Sequence, residues 1–214
     1  MKTKILPASD TEAFAHAVRL LRAGKVVSFP TDTVYAVGVS GMSELAIEQL
    51  FRAKNRAFDK AIPYLLAGAR DLDLVARELP AAVHMLADKF WPGGLTLVVP
   101  AAACVPRILI AGGDSVAVRV PNHPITQSLI EAVRAPLAAT SGNLSGARDP
   151  SSALEVMAQL NGRIPLILDG GPTRGNVPST VVDVTRNPPI VRRVGVISVE
   201  QLRTVLGDQL QVTN

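Results

Sequence analysis

The sequence is poor in the residues that most often announce a chemistry. Its single cysteine, Cys104, excludes an intrachain disulfide, and no Cys/His grouping has the spacing of a zinc site. The three histidines, His16, His84 and His123, stand apart in helical or turn contexts, and neither GxSxG nor HExxH occurs, which argues against a hydrolase triad. The Walker pattern GxxxxGK[ST] and a strand-linked GxGxxG are also missing, so any nucleotide must be held in another way. Aromatic residues make up only 4% of the chain and no long basic run occurs, which weighs against a protein whose main task is RNA binding.

Long apolar runs are lacking as well. "LTLVVPAAACV", from Leu95, contains a proline and is shorter than the roughly 20 residues a membrane helix needs. The N-terminus "MKTKILPASDTEAF" has a basic start without the apolar core of a signal peptide, so a cytoplasmic protein with no membrane partner is expected.

What remains is a folded composition, 48% hydrophobic and 19% charged, with 16 glycines and 16 prolines for turns. No linker or repeat divides it, so residues 1–214 are expected to form one domain. The net charge of +4 suits an anionic ligand or RNA, and suits plain solubility equally.

Periodicity predicts alternating strands and helices. A strand near Ile5 leads to a helix in "SDTEAFAHAVRLLRAG", with Ser9 and Glu12 as a capping box and Gly24 as terminator. "KVVSFP", "VYAVGVSG", "AIPYLLAG", "LTLVVP", "SVAVRVP", "PLAAT", "PLIL", "STVVDVT" and "PIVRRVG" read as strands. Helices fall on the segment capped by Ser43 and on "AAVHMLADKF", "ITQSLIEAVR", "ALEVMAQL" and "VEQLRTVL". Several strands follow one another without a helix, so the fold class is α/β with a twisted, mixed parallel and antiparallel sheet and flanking helices.

Polar clusters stand where apolar strands end. "SFPTDTVYAVG" and "PLAATSGNLSG" both run from an apolar strand into hydroxyl-rich turns, and in "GNVPSTVVDVT" such a turn opens a strand at Ser179 and Thr180. Small polar residues there are ordinary turn formers, and they also line ligand crevices in open α/β sheets. In "FRAKNRAFDKAIP", Lys54, Arg56 and Lys60 gather at a helix end. If that helix frays near Ala53, Lys54 and Arg56 converge on one anion such as a polyphosphate; otherwise they are solvated cations at a helix C-terminus. Arg119 interrupts a strand apolar on both faces and needs either a structural carboxylate or a bound one. Of Arg192 and Arg193, which alternate on a strand, one is expected in solvent and the other facing an anion.

In order, "PTDTVYAVG", "KNRAFDKAIP", "WPGGLTLVV", "VAVRVPNHP", "PLAATSGNLSG", "STVVDVT" and "RRVGVIS" resemble the YrdC-like, or TsaC, family of threonylcarbamoyl-AMP synthases, over about Lys4 to Leu206. The resemblance implies a sheet around a deep basic cavity. It also implies an enzyme, a nucleotidyltransferase, that makes threonylcarbamoyl-AMP and pyrophosphate from L-threonine, bicarbonate and ATP, with Mg²⁺ accompanying ATP and no metal held by the protein itself. The product serves the threonylcarbamoyladenosine modification of tRNA next to the anticodon. Direct contact with tRNA or double-stranded RNA, and downstream proteins that transfer the threonylcarbamoyl group to tRNA, are further implications.

Carried over by position, Thr33, Arg119, Ala139 and Ser179 resemble threonine-binding residues. Lys54, Arg56, Lys60, Ser115, Ser141, Asn143, Asp149 and Arg193 resemble ATP-binding ones, with Lys54, Arg56, Ser141 and Asn143 as the catalytic set. Ala36, Gly94, Gly142 and Val194 depart from the family pattern at turn or packing positions, and Lys60 and Leu65 at positions that vary among relatives. The family has longer members with a further C-terminal domain, which this sequence, ending soon after "RRVG", is expected to lack.

Overall fold

Strands with apolar residues on both faces need cover on both sides of the sheet, and cover on the second side is incomplete in this protein. The computed structural model describes residues 2–173 and 177–213. They contain β1 (Lys4–Pro7), α1 (Thr11–Arg22), β2 (Val27–Phe29), β3 (Ala36–Ser40), α2 (Glu44–Lys54), β4 (Tyr64–Leu65), α3 (Ala81–Phe90), β5 (Leu95–Pro100) and β6 (Ser115–Arg119). There follow α4 (Pro124–Val133), β7 (Leu137–Ser141), α5 (Ala153–Leu160), β8 (Leu166–Asp169), β9 (Thr180–Asp183), β10 (Ile190–Arg193), α6 (Val199–Leu206) and β11 (Gln211–Val212).

The strands form one sheet in the order β1-β8-β2-β3-β7-β4-β6-β5-β9-β10-β11. Pairings such as β1 with β8 and β5 with β9 are parallel, whereas β3 with β7 and β5 with β6 are antiparallel, as the mixed sheet required. The first helix differs in one detail: Asp10, not Ser9, caps it, its carboxylate accepting from the amides of Glu12 and Ala13 at 2.8 and 3.2 Å. No helix among the described residues is long and apolar enough to cross a membrane.

Alternate residues of each strand enter two separate cores. Val37, Val39, Tyr64, Leu95, Leu97, Val118 and Val182 face a large cluster with α2, α3, α5 and α6. The opposite face presents Phe29, Ala36, Leu65, Leu137 and Ala139 to α1 and α4, through Ala17, Leu21, Leu129 and Ile130. Those two helices cover only the β8-β2-β3-β7 side. Beyond them this face of β6, β5 and β9 carries Ala117, Arg119, Thr96 and Val181, which line a cavity, and Leu65 of β4 stands at the border between that cavity and the core.

Tyr64 ties the central strand to the β3–α2 turn, its buried hydroxyl donating to the Gly41 carbonyl at 2.7 Å. Tyr64→Phe keeps the ring and leaves that carbonyl without this donor. It is expected to cost about 1–2 kcal/mol, read as a lower urea midpoint at unchanged slope.

Candidate functional site

The open part of the sheet face holds a cavity of about 370 Å³. Its floor is small: Ala36, Ala117 and Ala139 contribute one methyl each, which leaves the volume that larger residues would fill. Its walls are the strand-end turns singled out above. Eight of the expected site residues meet on it, namely Thr33, Arg56, Arg119, Ala139, Ser141, Asp149, Ser179 and Arg193.

In the turn after β2, the Thr31 hydroxyl donates to the Val34 carbonyl at 2.6 Å and receives the Thr33 amide at 3.2 Å, so the segment closes on itself. That turn meets Arg119 at the end of β6. Arg119 donates to Asp32 Oδ1 at 2.6 Å, to Thr33 Oγ1 at 3.0 Å and to the Gly93 carbonyl at 2.9 Å. The structural carboxylate that a buried arginine required is therefore Asp32. Burial lowers the Arg119 pKa and Asp32 opposes that, so the group stays a cation.

The turn after β7 is held by Lys54. α2 does not fray near Ala53. It continues to Lys54 and reverses at Asn55, whose φ of 52° is left-handed. Lys54 thus keeps its place on the buried stripe of Ile47, Leu50 and Phe51, one further turn along. Its side chain is 1% exposed, and its ammonium donates to the carbonyls of Ser141 and Asn143 and to Asn143 Oδ1, the last at 3.2 Å. All three N–H groups are spent on the protein, so Lys54 and Arg56 do not converge on one anion. Burial, assisted by Arg56 and opposed by Asp149, lowers the Lys54 pKa to about 7.

Asn143 is turned inward by the same contacts. Its Oδ1 accepts from the Ser141 hydroxyl at 2.6 Å and its amide donates to the Ala147 carbonyl at 2.6 Å. Lys54 and Asn143 accordingly lie behind the wall that Ser141 faces. Lys60 is exposed, and it is its carbonyl that receives Arg56 Nε at 3.2 Å. Ser115 lies on the same face of β6 as Ala117 and Arg119 but beyond the cavity lining.

The third wall is Ser179. Its hydroxyl pairs with Thr96 Oγ1 at 2.8 Å, and Arg193 donates to its carbonyl at 2.9 and 3.1 Å and to its hydroxyl at 3.2 Å. A register shift in β10 between Val191 and Arg193 separates the two arginines. Arg192 pairs with Asp183 at 2.8 Å at the half-exposed surface, and Arg193 enters the cavity. Thr180 points away, its hydroxyl taking the amides of Gly195 and Ile197 at 2.8 and 3.0 Å. Gly175 and Asn176 of this turn lie outside the described residues.

Thr31, Asp32 and Thr96 were missed by sequence reasoning. Thr31 and Asp32 sit inside the quoted turn, and a buried arginine in β6 calls for a carboxylate. Nothing local marks Thr96, whose partner is 83 residues away. Among the described residues no three of His, Cys, Asp and Glu stand together as a metal site.

Fold and site together define an α/β protein with a hydroxyl- and arginine-lined cleft on one sheet face, suited to anionic small molecules. Residues 19–195 match the Sua5/YciO/YrdC family model, described as "Telomere recombination". The chain is 43% identical over 192 residues to a threonylcarbamoyl-AMP synthase of Pyrococcus abyssi and 40% identical over 195 residues to one of Bacillus subtilis. Each match covers 90% of this chain and 56% of the relative, so the chain spans little more than half the length of these curated relatives. The crystal structure of P. abyssi Sua5 complexed with L-threonine superposes with a TM-score of 0.95 at 40% identity, over 99% of this chain and 63% of that one. Escherichia coli YciO gives 0.83 at 27% identity, over 94% and 99%. The chain belongs to the Sua5/YciO/YrdC family.

The buried Lys54 gives a pH-dependent signature. Burial holds its folded pKa near 7, below the ordinary lysine value of about 10.4. The unfolded chain therefore binds the extra proton between those values, and the Lys54 contribution to stability rises with pH across that window. Lys54→Met is expected to lose about 2 kcal/mol at pH 6, where two carbonyls lose their donor. The deficit should widen by about 1 kcal/mol per pH unit between pH 7 and 9, as measured by urea unfolding of both proteins.

Proposed function

We propose that this protein makes threonylcarbamoyl-AMP and pyrophosphate from L-threonine, bicarbonate and ATP. The observation that carries the reading is the meeting of eight expected site residues, distant in sequence, on one cavity in a chain of this family. The P. abyssi relative's complex with L-threonine supports the choice of amino acid.

The threonine amine condenses with bicarbonate to a carbamate, with loss of water. A carbamate oxygen then attacks the α-phosphorus of ATP, and the bond from that phosphorus to the bridging oxygen breaks to release pyrophosphate. Thr33, Arg119, Ala139 and Ser179 hold threonine at the Asp32 end. Arg56, Arg193 and Ser141 hold the triphosphate, with Asp149 and Ser115 nearby. Among the described residues Arg56 and Arg193 bond only neutral oxygens, so their charge is available where negative charge builds on the leaving group. Lys54 and Asn143 contribute by fixing the turn that presents Ser141. No side chain of the cavity is an obvious nucleophile, so positioning of the two reactants carries much of the rate.

Asp149 is the carboxylate of the described lining, too few donors for a resident metal, so Mg²⁺ fits as an ion carried in with the triphosphate. The same reading places the protein in the cytoplasm, in the threonylcarbamoyladenosine modification of tRNA. Proteins that transfer the threonylcarbamoyl group to tRNA receive its adenylate. Direct tRNA contact is part of the reading and should weaken steeply with salt.

The purified protein with ATP, Mg²⁺ and bicarbonate is expected to release pyrophosphate only when L-threonine is added. Arg56→Ala should slow that release about 100-fold with little change in melting temperature. Release by the wild type without threonine or bicarbonate defeats the synthase reading, and unchanged release by Arg56→Ala removes Arg56 from the reaction.

A further inference from the structure

Resting on the threonine reading, we propose that Asp32 is the positioning residue for Arg119, fixing the direction of its two remaining N–H donors and so setting the affinity for the amino-acid carboxylate. Asp32 is absent from the cavity lining, whereas Arg119 is part of it. Asp32 therefore acts through the guanidinium.

An arginine side chain has several rotatable bonds, so a useful direction must be imposed on it. Three acceptors from two segments impose it here: the Gly93 carbonyl on Nε and, from the turn after β2, Asp32 Oδ1 on Nη2 and Thr33 Oγ1 on Nη1. The guanidinium is planar, so acceptors on all three nitrogens fix its plane. Of its five N–H groups, the described residues occupy these three. One donor remains on each terminal nitrogen, a pair suited to the two oxygens of a carboxylate.

Among the three acceptors only Asp32 is charged, and its contact is the shortest, at 2.6 Å, between side chains 8% and 17% exposed. Buried charge without a partner is costly, so Asp32 also permits Arg119 to stay charged at this depth. An incoming carboxylate then meets oriented donors rather than a bare positive charge. Selectivity rests on geometry, with Thr33 held against the same guanidinium.

Asp32 is dispensable to its own turn. The Thr31 hydroxyl closes the segment onto Val34, and Thr126 of α4 donates to the Pro30 carbonyl at 2.5 Å. A substitution at Asp32 therefore removes the contact to Arg119 and leaves the turn in place.

The test is calorimetric titration of L-threonine into wild type, Asp32→Asn and Asp32→Ala, with the KM for ATP measured by pyrophosphate release. Asp32→Ala should bind L-threonine about 10- to 100-fold more weakly, with the KM for ATP within about twofold of wild type. Asp32→Asn, which keeps an oxygen acceptor and loses the charge, should fall between the two. Wild-type threonine affinity in Asp32→Ala overturns the proposal, as does an equal loss of threonine and ATP. Should Asp32→Ala fail to fold, Asp32→Asn decides alone, and unchanged threonine affinity there overturns it. A wild-type protein that takes no L-threonine at all overturns the substrate reading, and this inference with it.

Discussion

The ammonium of Lys54, buried where α2 ends, joins the helix layer on one sheet face to the polar turn that follows β7. Taking such an ion out of water costs several kcal/mol, and three oxygens of residues 141–143 offset part of that cost. An apolar side chain at the same place would escape the cost and leave the carbonyls of Ser141 and Asn143 without this donor. The turn has few apolar side chains to hold it. It takes its shape from the cation behind it.

The same solution recurs on the other two walls. Arg119 holds the turn of Asp32 and Thr33, and Arg193 holds Ser179. The sheet supplies a rigid floor of small residues because α1 and α4 stop short of it. The walls, being loops with polar backbones, are fixed by charge-assisted hydrogen bonds rather than by packing. A site built in this way keeps its hydroxyls in place before any ligand arrives, which lowers the entropy cost of binding.

Most of the fold was legible because strands and helices leave local periodic traces. "AAVHMLADKF" is α3 to the residue, and "LTLVVP" is β5. The segment "AIPYLLAG" shortened to Tyr64–Leu65, and the two-residue β11 has too little sequence to show a period. The site was legible as a set of polar strand ends, but its pairings were not. Arg119 finds Asp32 across 87 residues and Thr96 finds Ser179 across 83, and no local pattern encodes such distances. Lys54 is the instructive case. Its position on the stripe of Ile47, Leu50 and Phe51 already required a buried lysine with acceptors, a stronger signal than its nearness to Arg56.

The two ends of the cavity differ in how their charge is balanced. Arg119 is paired with a carboxylate inside the protein, so that end is close to neutral and offers directed donors. Arg56 leans on the carbonyls of Lys60 and Ala61, and Arg193 on that of Ser179, so both keep a positive charge, offset only in part by Asp59 at Arg56 and by Asp149 at Arg193. A polyphosphate needs the excess positive charge of the second end. A zwitterionic amino acid, neutral overall, gains little from such excess and more from donors set at fixed angles. The division follows from where the fold brings the carboxylates: Asp32 makes a direct ion pair with Arg119, whereas Asp149 and Asp59 act on Arg193 and Arg56 without a direct hydrogen bond among the described residues.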